Sequence, residues 1–288
     1  MMIQDIYRTE PWKMCVCTIL LNQTSGVQVK KMMRKLFKKF PTEESIIYSI
    51  ENGLALFISD LGLQNVKAKR IRDFLKSVDN DPEFYLRDVS KLPGVGTYTE
   101  ESVDVFIRRN IKRDIKDKEI KNYVDNLYSF ESLLSKVEGD ILCIGSLQPV
   151  PRYAPVEILN YSYRYDSRTF LNVTDKRLKY VLDKLDIYEE ELKEVNYKLR
   201  WNRANRQAVI QFDQSGLLPN CTVAIHFQIR DNILYTTVYQ RSQDTAKMEM
   251  DCEIFNRMSL EVIKEQEDVD DYQVLVNVGN MHKYVHNK

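Results

Sequence analysis

The stretch Leu92-Pro93-Gly94-Val95-Gly96 separates two segments whose apolar residues recur at helical spacing. Because glycine adopts backbone conformations closed to other residues, this stretch predicts a tight turn. In such a turn Gly94, Val95 and Gly96 can bring backbone N–H groups close to a phosphate oxygen. The N-terminus of the following helix adds a dipole that favours an anion. Alone, the stretch also fits an ordinary tight turn between two helices.

Helical periodicity extends from this turn in both directions, up to about residue 135. Apolar residues recur at helical spacing over residues 14–40, and the pair Thr42 and Ser45 is typical of the start of a further helix. Another helix is predicted over 67–78. Because no strand-like alternation occurs before residue 140, the sequence predicts an all-α first domain over residues 1–138.

The pattern changes beyond residue 138. The predicted elements are strand 158–165, a pair of charged helices over 176–201, strands 207–212, 222–229 and 233–239, helix 251–266 and strand 274–278. The short stretch Arg230-Asp231-Asn232 predicts a hairpin turn between two of these strands. The sequence therefore predicts a multidomain protein, in which the all-α domain is followed by an α+β domain over residues 139–288.

The composition fits packed globular domains and argues against long disordered tracts. Of the 288 residues, 43% are hydrophobic, and only 9 are glycine and 8 proline. The 42 basic and 42 acidic residues cancel, so net charge alone gives no argument for nucleic-acid binding. One basic cluster fits either a DNA-binding helix or an ordinary solvated face, and it consists of Lys30, Lys31, Arg34, Lys35, Lys38 and Lys39.

Cysteine spacing and hydrophobicity bear on metals and on the cellular compartment. The five cysteines have no zinc-binding spacing, so no metal site is predicted, and Cys15 and Cys17 lie in an apolar run typical of core thiols. No signal peptide is recognisable, and no apolar run approaches membrane-spanning length. We therefore expect a protein that is not secreted and has no membrane partner. The expected location is cytoplasmic, or nuclear or in a viral factory if the host is eukaryotic.

Segments on both sides of the glycine turn match one known family in order. They are Pro11-Trp12-Lys13 with residues 20–26, then 61–69, then the turn itself, and finally 117–123. Residues 8–130 thereby resemble the helix-hairpin-helix (HhH-GPD) DNA glycosylases related to endonuclease III, including the mismatch thymine glycosylase found with methyl-CpG-binding domains. The resemblance implies an all-α glycosylase domain with DNA as its partner.

The same resemblance implies a role for each matching residue. Asp117 corresponds to the catalytic aspartate, whose carboxylate stabilises the oxocarbenium-like sugar and can orient water. Tyr98 stands where lyase-type relatives have a lysine. Because a phenol cannot form a Schiff base, a monofunctional enzyme is expected. Gln23 corresponds to the residue that fills the hole left by a flipped base. Taken singly, Asp117 also fits a helix cap and Gln23 a plain helix-end amide.

No cofactor is implied for the glycosylase. The cysteines that hold the iron–sulfur cluster of endonuclease III are absent from this sequence, so no cluster is expected.

Four later segments match a second family, again in order. They are residues 205–210, 218–222, 239–244 and 279–284. They resemble thymidylate synthases and the related pyrimidine hydroxymethylases, which implies a truncated domain of that type and a site for dUMP or dCMP. Cys221 corresponds to the thiolate that adds to C6 of the pyrimidine, although a buried strand cysteine is the alternative for this residue alone.

The remaining matches imply nucleotide-binding roles. Arg241 and Ser242 correspond to residues that bind the nucleotide phosphate, and Asp244 lies in the same segment. Arg206 corresponds to an arginine that reaches the phosphate bound by a dimer partner, and Asp251 corresponds to the residue that contacts the edge of the base. His282 and Tyr284 correspond to residues that contact the ribose. A homodimer through this domain is one expectation. The family's active-site tryptophan insertion, early glutamate and folate-closing tail are not recognisable, so folate is a doubtful cofactor.

The leading hypothesis is a monofunctional DNA glycosylase acting on thymine, uracil or a 5-modified pyrimidine, fused to a pyrimidine-nucleotide-binding domain. The alternatives are a pyrimidine (hyper)modification enzyme of the thymidylate synthase and hydroxymethylase type, or a C-terminal half that serves only as a non-catalytic dimer scaffold.

Overall fold

A computed structural model describes residues 1–49, 53–79, 81–111, 114–144, 146–147, 155–171, 185–203, 205, 207–212 and 221–284. The chain forms two compact units, Met1–Asn126 and Leu127–Lys288. The helix at residues 130–144 lies in the second unit, whereas the predicted domain limits divide it at residue 138. Those limits, 1–138 and 139–288, stay a prediction.

The first unit is helical, as predicted. Its helices are α1 (Ile3–Ile6), α2 (Pro11–Leu21), α3 (Gly26–Lys39), α4 (Glu43–Ile47), α5 (Gly53–Phe57), α6 (Gln64–Val78), α7 (Thr97–Ser102) and α8 (Lys118–Asp125). Short 3₁₀ turns occupy Ser59–Leu61, Phe84–Leu86 and Val89–Lys91, and a π-helical turn, Val103–Ile107, continues α7.

Helix α2 forms the centre of this unit because it is apolar on nearly every side. Residues 14–20 are all buried, and the prediction that Cys15 and Cys17 are core thiols is confirmed. The helical spacing over 14–40 corresponds to two helices, since the chain leaves α2 after Leu21 and the hydroxyl of Ser25 caps α3. Periodicity alone does not reveal such a break when the apolar spacing resumes in phase.

The second unit combines a mixed sheet with helices, which confirms the predicted mixture of strands and helices. Its elements are β1 (Tyr128–Ser129), α9 (Phe130–Ile144), β2 (Ser146–Leu147), β3 (Pro155–Asp166), β4 (Thr169–Phe170), α10 (Glu189–Trp201), β5 (Val209–Gln211), β6 (Thr222–Arg230), β7 (Ile233–Asp244), α11 (Met248–Lys264) and β8 (Asp271–Tyr284).

Six of these strands form one sheet in the order β2-β3-β8-β7-β6-β5. Strands β7 and β8 are parallel, so they need a crossover connection, which the buried helix α11 supplies. The other neighbours in this sheet are antiparallel, and β1 and β4 form a separate parallel pair. The predicted hairpin between β6 and β7 is confirmed, with Asp231 and Asn232 at positive φ.

In the described part of the chain, no helix combines the length and apolar character that a membrane crossing requires.

Candidate functional site

The glycine turn lies directly against helix α6. Gly94 has φ +76°, and a Cβ at this position would lie 2.8 Å from the carbonyl oxygen of Arg70. Both the backbone conformation and the close approach therefore require glycine. Gly96 follows as the N-cap residue of α7, so Gly94, Val95 and Gly96 form one tight turn leading into that helix. The turn therefore offers an exposed backbone surface close to α7.

Sequence reasoning missed Arg70, whose backbone packs against the turn. Its side chain is exposed, whereas Lys67 on the same helix is buried. In the sequence Arg70 is one of several basic residues in α6 and carries no signal of its own. Its Cβ lies next to Gly94, so an exposed basic side chain starts beside the surface that the turn presents.

Tyr98 lies in the first turn of α7 and is held from behind by α1. The Gln4 side-chain amide donates to Tyr98 Oη at 2.7 Å and to Ser102 Oγ at 3.2 Å. Burial raises the pKa of Tyr98 to about 12, and the carboxylates of Asp117 and Glu119 add to this rise. The phenol is therefore neutral at physiological pH. Tyr98 and Asp117 are linked through α7, because Glu101 of the same helix accepts from Asp117 N at 2.9 Å.

Asp117 is the N-cap of α8. Its Oδ1 accepts from the backbone N–H groups of Glu119 at 2.9 Å and Ile120 at 3.0 Å. Within the described part of the chain, its Oδ2 accepts no hydrogen bond. Asp117 is therefore a helix cap, which was the alternative to a catalytic role in the sequence analysis. Its second carboxylate oxygen remains available for chemistry.

Glu101, a second residue that sequence reasoning missed, binds the backbone at Asp117. It lies on α7, is fully buried, and accepts from Asp117 N at 2.9 Å. In the sequence it is adjacent to Glu100 and has no feature that separates it from a surface glutamate.

Gln23 projects from the segment between α2 and α3. It is exposed, with φ +56°. The next residue, Thr24, is anchored: its hydroxyl donates to Leu61 O at 3.0 Å. The buried ammonium of Lys67 contacts the same hydroxyl and donates to Leu61 O at 2.9 Å. Burial lowers the pKa of Lys67. An exposed amide on an anchored segment suits a residue that enters a DNA duplex.

In the second unit, Cys221, Arg241 and Ser242 lie together at adjoining ends of β6 and β7. Cys221 Sγ is 3.1 Å from Ser242 Oγ, and Arg241 N donates to Cys221 O at 2.7 Å. A Cβ at Gly279 of β8 would lie 2.8 Å from Arg241 O, so β8 approaches the same point closely. We call Cys221, Arg241 and Ser242 the thiol cluster.

Strand register extends this arrangement to two more predicted residues. Asp244 is the partner of His282 across the parallel pair β7 and β8, and its Oδ1 accepts from Ala246 N at 3.0 Å. Tyr284 lies at the end of β8, paired with Pro155. The side chains of His282 and Tyr284, and all of Arg206, lie outside the described residues.

Asp251 occupies a buried position behind the thiol cluster. Its Oδ2 accepts from Gln243 at 3.0 Å and Gln240 at 3.2 Å, and Gln243 in turn accepts from the Tyr163 hydroxyl at 2.8 Å. Burial raises the pKa of Asp251 to about 6. Because only 6% of the residue is exposed, a direct contact with a base would require one of these bonds to open.

A separate cavity in the second unit contains none of the predicted nucleotide-binding residues. It has a volume of about 470 Å³ and is lined by Tyr128, Ser132, Arg164, Asp166 and Gln273, among others. Across the described residues, no group of three or more His, Cys, Asp and Glu side chains is placed to hold a metal ion.

Comparison with known proteins finds a family match over the N-terminal part of the chain. Residues 16–139 match the family described as HhH-GPD superfamily base excision DNA repair protein. The matched residues contain the glycine turn, Tyr98 and Asp117. The N-terminal part of this chain is therefore an HhH-GPD base excision repair domain. Members of this family are DNA glycosylases, which hydrolyse N-glycosyl bonds.

Individual relatives are similar over parts of their length. A thymine/uracil-DNA glycosylase of Methanothermobacter thermautotrophicus is 31% identical over 94 residues, covering 31% of this chain and 42% of the relative. An endonuclease III of Rickettsia felis is 32% identical over 106 residues, covering 34% and 47%. A methyl-CpG-binding domain protein 4-like protein of Arabidopsis thaliana is 28% identical over 122 residues, covering 42% and 27%. The chain thus spans less than half the length of each of these relatives.

Proposed function

We propose that the first unit is a monofunctional DNA glycosylase that excises thymine, uracil or a 5-modified pyrimidine from duplex DNA. The observation that carries this proposal is the arrangement of Asp117, which caps α8 through one carboxylate oxygen and is bound through its backbone N–H to Glu101 of α7, the helix that follows the glycine turn and contains Tyr98. The named similarity to a thymine/uracil-DNA glycosylase supports the choice of base.

In the proposed reaction, Asp117 acts on the sugar rather than on the base. As the N-glycosidic bond breaks, positive charge develops on the deoxyribose, and a nearby carboxylate stabilises it more than it stabilises the neutral substrate. Water then adds to the sugar, and Asp117 is placed to accept its proton. Tyr98 has no amine, so no covalent Schiff base forms and the product is an intact abasic strand.

The surroundings of this site suit a DNA backbone and an extruded base. The backbone of the Gly94 turn is exposed, and the exposed side chain of Arg70 starts beside it, a combination that favours phosphate. In this proposal Gln23, exposed on its anchored segment, occupies the space left in the duplex. In this proposal, contacts with phosphate position the protein on the DNA, and contacts with the extruded base determine which base is excised.

The first prediction concerns the product. We expect the full chain, incubated with duplexes that carry G·T, G·U or a 5-hydroxymethylated pyrimidine, to give strand breaks only after alkali treatment. Borohydride should trap no covalent complex, because trapping needs an amine at position 98. The Tyr98→Lys variant is the matched positive control for trapping. Absence of alkali-labile sites on every duplex would contradict the glycosylase proposal, and trapping of the wild-type protein would contradict its monofunctional part.

A second candidate function belongs to the second unit, where the thiol cluster favours binding of a pyrimidine nucleotide. A thiol beside a serine hydroxyl combines a nucleophile for C6 of the ring with a hydrogen-bonding group for phosphate. Arg241, whose backbone N–H binds Cys221 O, would supply the guanidinium that the resemblance implies for the phosphate. The resemblance of residues 205–284 to thymidylate synthases and pyrimidine hydroxymethylases implies the same roles for these residues. If Cys221 also performs addition to C6, the unit would take part in pyrimidine modification.

The second prediction is therefore direct binding of dUMP or dCMP, measured by isothermal titration. Ser242→Ala should weaken binding by about 1.5 kcal/mol or more, the lower end of the range for one hydrogen bond to a charged group. Ser162→Ala is the control, because Ser162 lies on β3 of the same sheet and its hydroxyl donates to Asn277. If neither nucleotide binds, the nucleotide proposal fails, and sedimentation of the full chain then tests the dimer-scaffold alternative. Release of tritium from C5 that depends on Cys221 would extend the proposal from binding to chemistry.

A further inference from the structure

Glu101 is a buried carboxylate committed to two consecutive backbone amides. Its Oε1 accepts from Lys116 N at 2.9 Å and its Oε2 from Asp117 N at 2.9 Å. The side chain is fully buried, on helix α7. Each oxygen thus has a partner 15 or 16 residues later in the chain, immediately before α8.

These two bonds determine where α8 begins. Lys116 and Asp117 precede the helix and lie outside regular structure, so their N–H groups have no helical partner. Burying a carboxylate is costly unless it is hydrogen-bonded, and here the bonds join α7 to the start of α8. Because α7 also contains Tyr98 and begins at the glycine turn, the same bonds fix Asp117 relative to both.

We propose that Glu101 is a positioning residue for base excision, and this inference rests on the proposed glycosylase function. Asp117 makes three hydrogen bonds: its backbone N–H donates to Glu101, and its Oδ1 accepts from the two amides of α8. The first contact fixes the backbone, and the other two fix the orientation of the side chain. Its Oδ2 is thereby held in one place, which electrostatic stabilisation of a developing cation requires. Glu101 itself touches neither sugar nor base.

Glu101→Gln tests this role with almost no change in volume. The glutamine oxygen can keep one backbone bond, but its NH₂ group then faces the other N–H group, so one bond is lost. We expect the single-turnover excision rate to fall by about tenfold or more, while affinity for a duplex with a neutral abasic analogue changes by less than about threefold. Asp125→Asn, which removes a charge from an exposed position at the end of α8, should leave the rate within about threefold of wild type.

A second measurement separates positioning from general stability. A duplex with a cationic pyrrolidine abasic analogue mimics the charged sugar, so its binding depends on a well-placed Asp117 carboxylate. Glu101→Gln should weaken binding of this analogue by about tenfold and leave the neutral tetrahydrofuran analogue unaffected, because only the cation senses the carboxylate. Equal effects on both analogues, or an unchanged excision rate in the folded variant, would overturn the proposal.

Amide hydrogen exchange of the wild-type protein provides a test that needs no variant. The N–H groups of Lys116 and Asp117 should exchange slowly although they lie outside a helix, since both are bonded to a buried acceptor. Exchange at the rate of an unprotected loop would overturn the proposal even if Glu101→Gln does not fold. If these amides are protected but the wild-type protein excises no base, the glycosylase proposal fails while the Glu101 contact stands.

Discussion

Asp117→Asn should lower the single-turnover rate of base excision by about 100-fold or more, the scale on which removal of one electrostatic stabiliser acts. Asparagine is as good an N-cap as aspartate, so its Oδ1 can still accept from the N–H groups of Glu119 and Ile120. The variant therefore keeps the helix and loses only the charge. This separates the two interpretations of Asp117, since a residue that merely caps α8 would leave the rate unchanged.

Asp125→Asn is the matched control for this experiment. Asp125 ends the same helix and is exposed, so the change removes an equal charge at the far end of α8. Its rate should stay within about threefold of wild type, because screening by water weakens the influence of an exposed charge. Affinity of Asp117→Asn for an uncleaved duplex should be equal to or higher than that of wild type, since a negative charge near phosphate is removed. A wild-type excision rate in Asp117→Asn, measured with a melting temperature that confirms folding, would contradict the assigned role.

The glycine turn could be predicted from the sequence because its signal is local. The capping role of Asp117 is visible in the same way, whereas its catalytic role follows from the resemblance and stays a prediction. Gly94 requires a conformation that glycine favours, and the string around it is short. Glu101 could not be predicted, because its function depends on partners 15 and 16 residues away. Lys67 is a similar case: it belongs to a basic run in the sequence, yet its ammonium is buried and anchors the segment that bears Gln23.

In the second unit, strand positions were predictable and strand order was not. Alternation marked β6 and β7, and the turn residues between them identified the hairpin. The parallel pairing of β7 with β8 depends on the crossover through α11, which no local pattern specifies. The contact between Cys221 and Ser242 has no local sequence signal, since the two residues are 21 positions apart. The resemblance to thymidylate synthases assigned both residues to one nucleotide site, which stays a prediction.

The stability of the second unit should depend on pH through Asp251. Its pKa rises from the ordinary 3.8 to about 6 in the folded protein, with burial as the main cause. Below about pH 4 the carboxyl is protonated in both the folded and the unfolded chain, so it does not change the free energy of unfolding. Between about pH 4 and 6 the unfolded chain releases its proton and the folded chain keeps it, so stability falls as pH rises. Above about pH 6 the carboxyl is ionised in both states, and the full free-energy cost of burying its charge lowers the stability of the folded unit.

Asp251→Asn removes this penalty and should stabilise the second unit at pH 8 by up to about 3 kcal/mol, the free energy of a pKa shift of about two units. The amide oxygen can still accept from Gln240 and Gln243, so the buried network retains its bonds. At pH 4 the variant and wild type should be nearly equally stable. Urea titrations followed by the backbone amide signals of β6 and β7 report on this unit separately, which matters because a chain with two units need not unfold in one step.

Glu261→Gln is the control for that titration. Glu261 lies on the same helix, is partly exposed and pairs with Lys264, so its loss should change stability by less than about 1 kcal/mol. If Asp251→Asn were less stable than wild type at pH 8, the folded protein would have to favour the ionised carboxylate, and burial would not be the dominant influence on Asp251. If Asp251→Asn is more stable than wild type only at high pH, the carboxylate of Asp251 lowers the folding stability of the wild-type unit. Such a cost is expected where a residue serves binding or chemistry rather than packing.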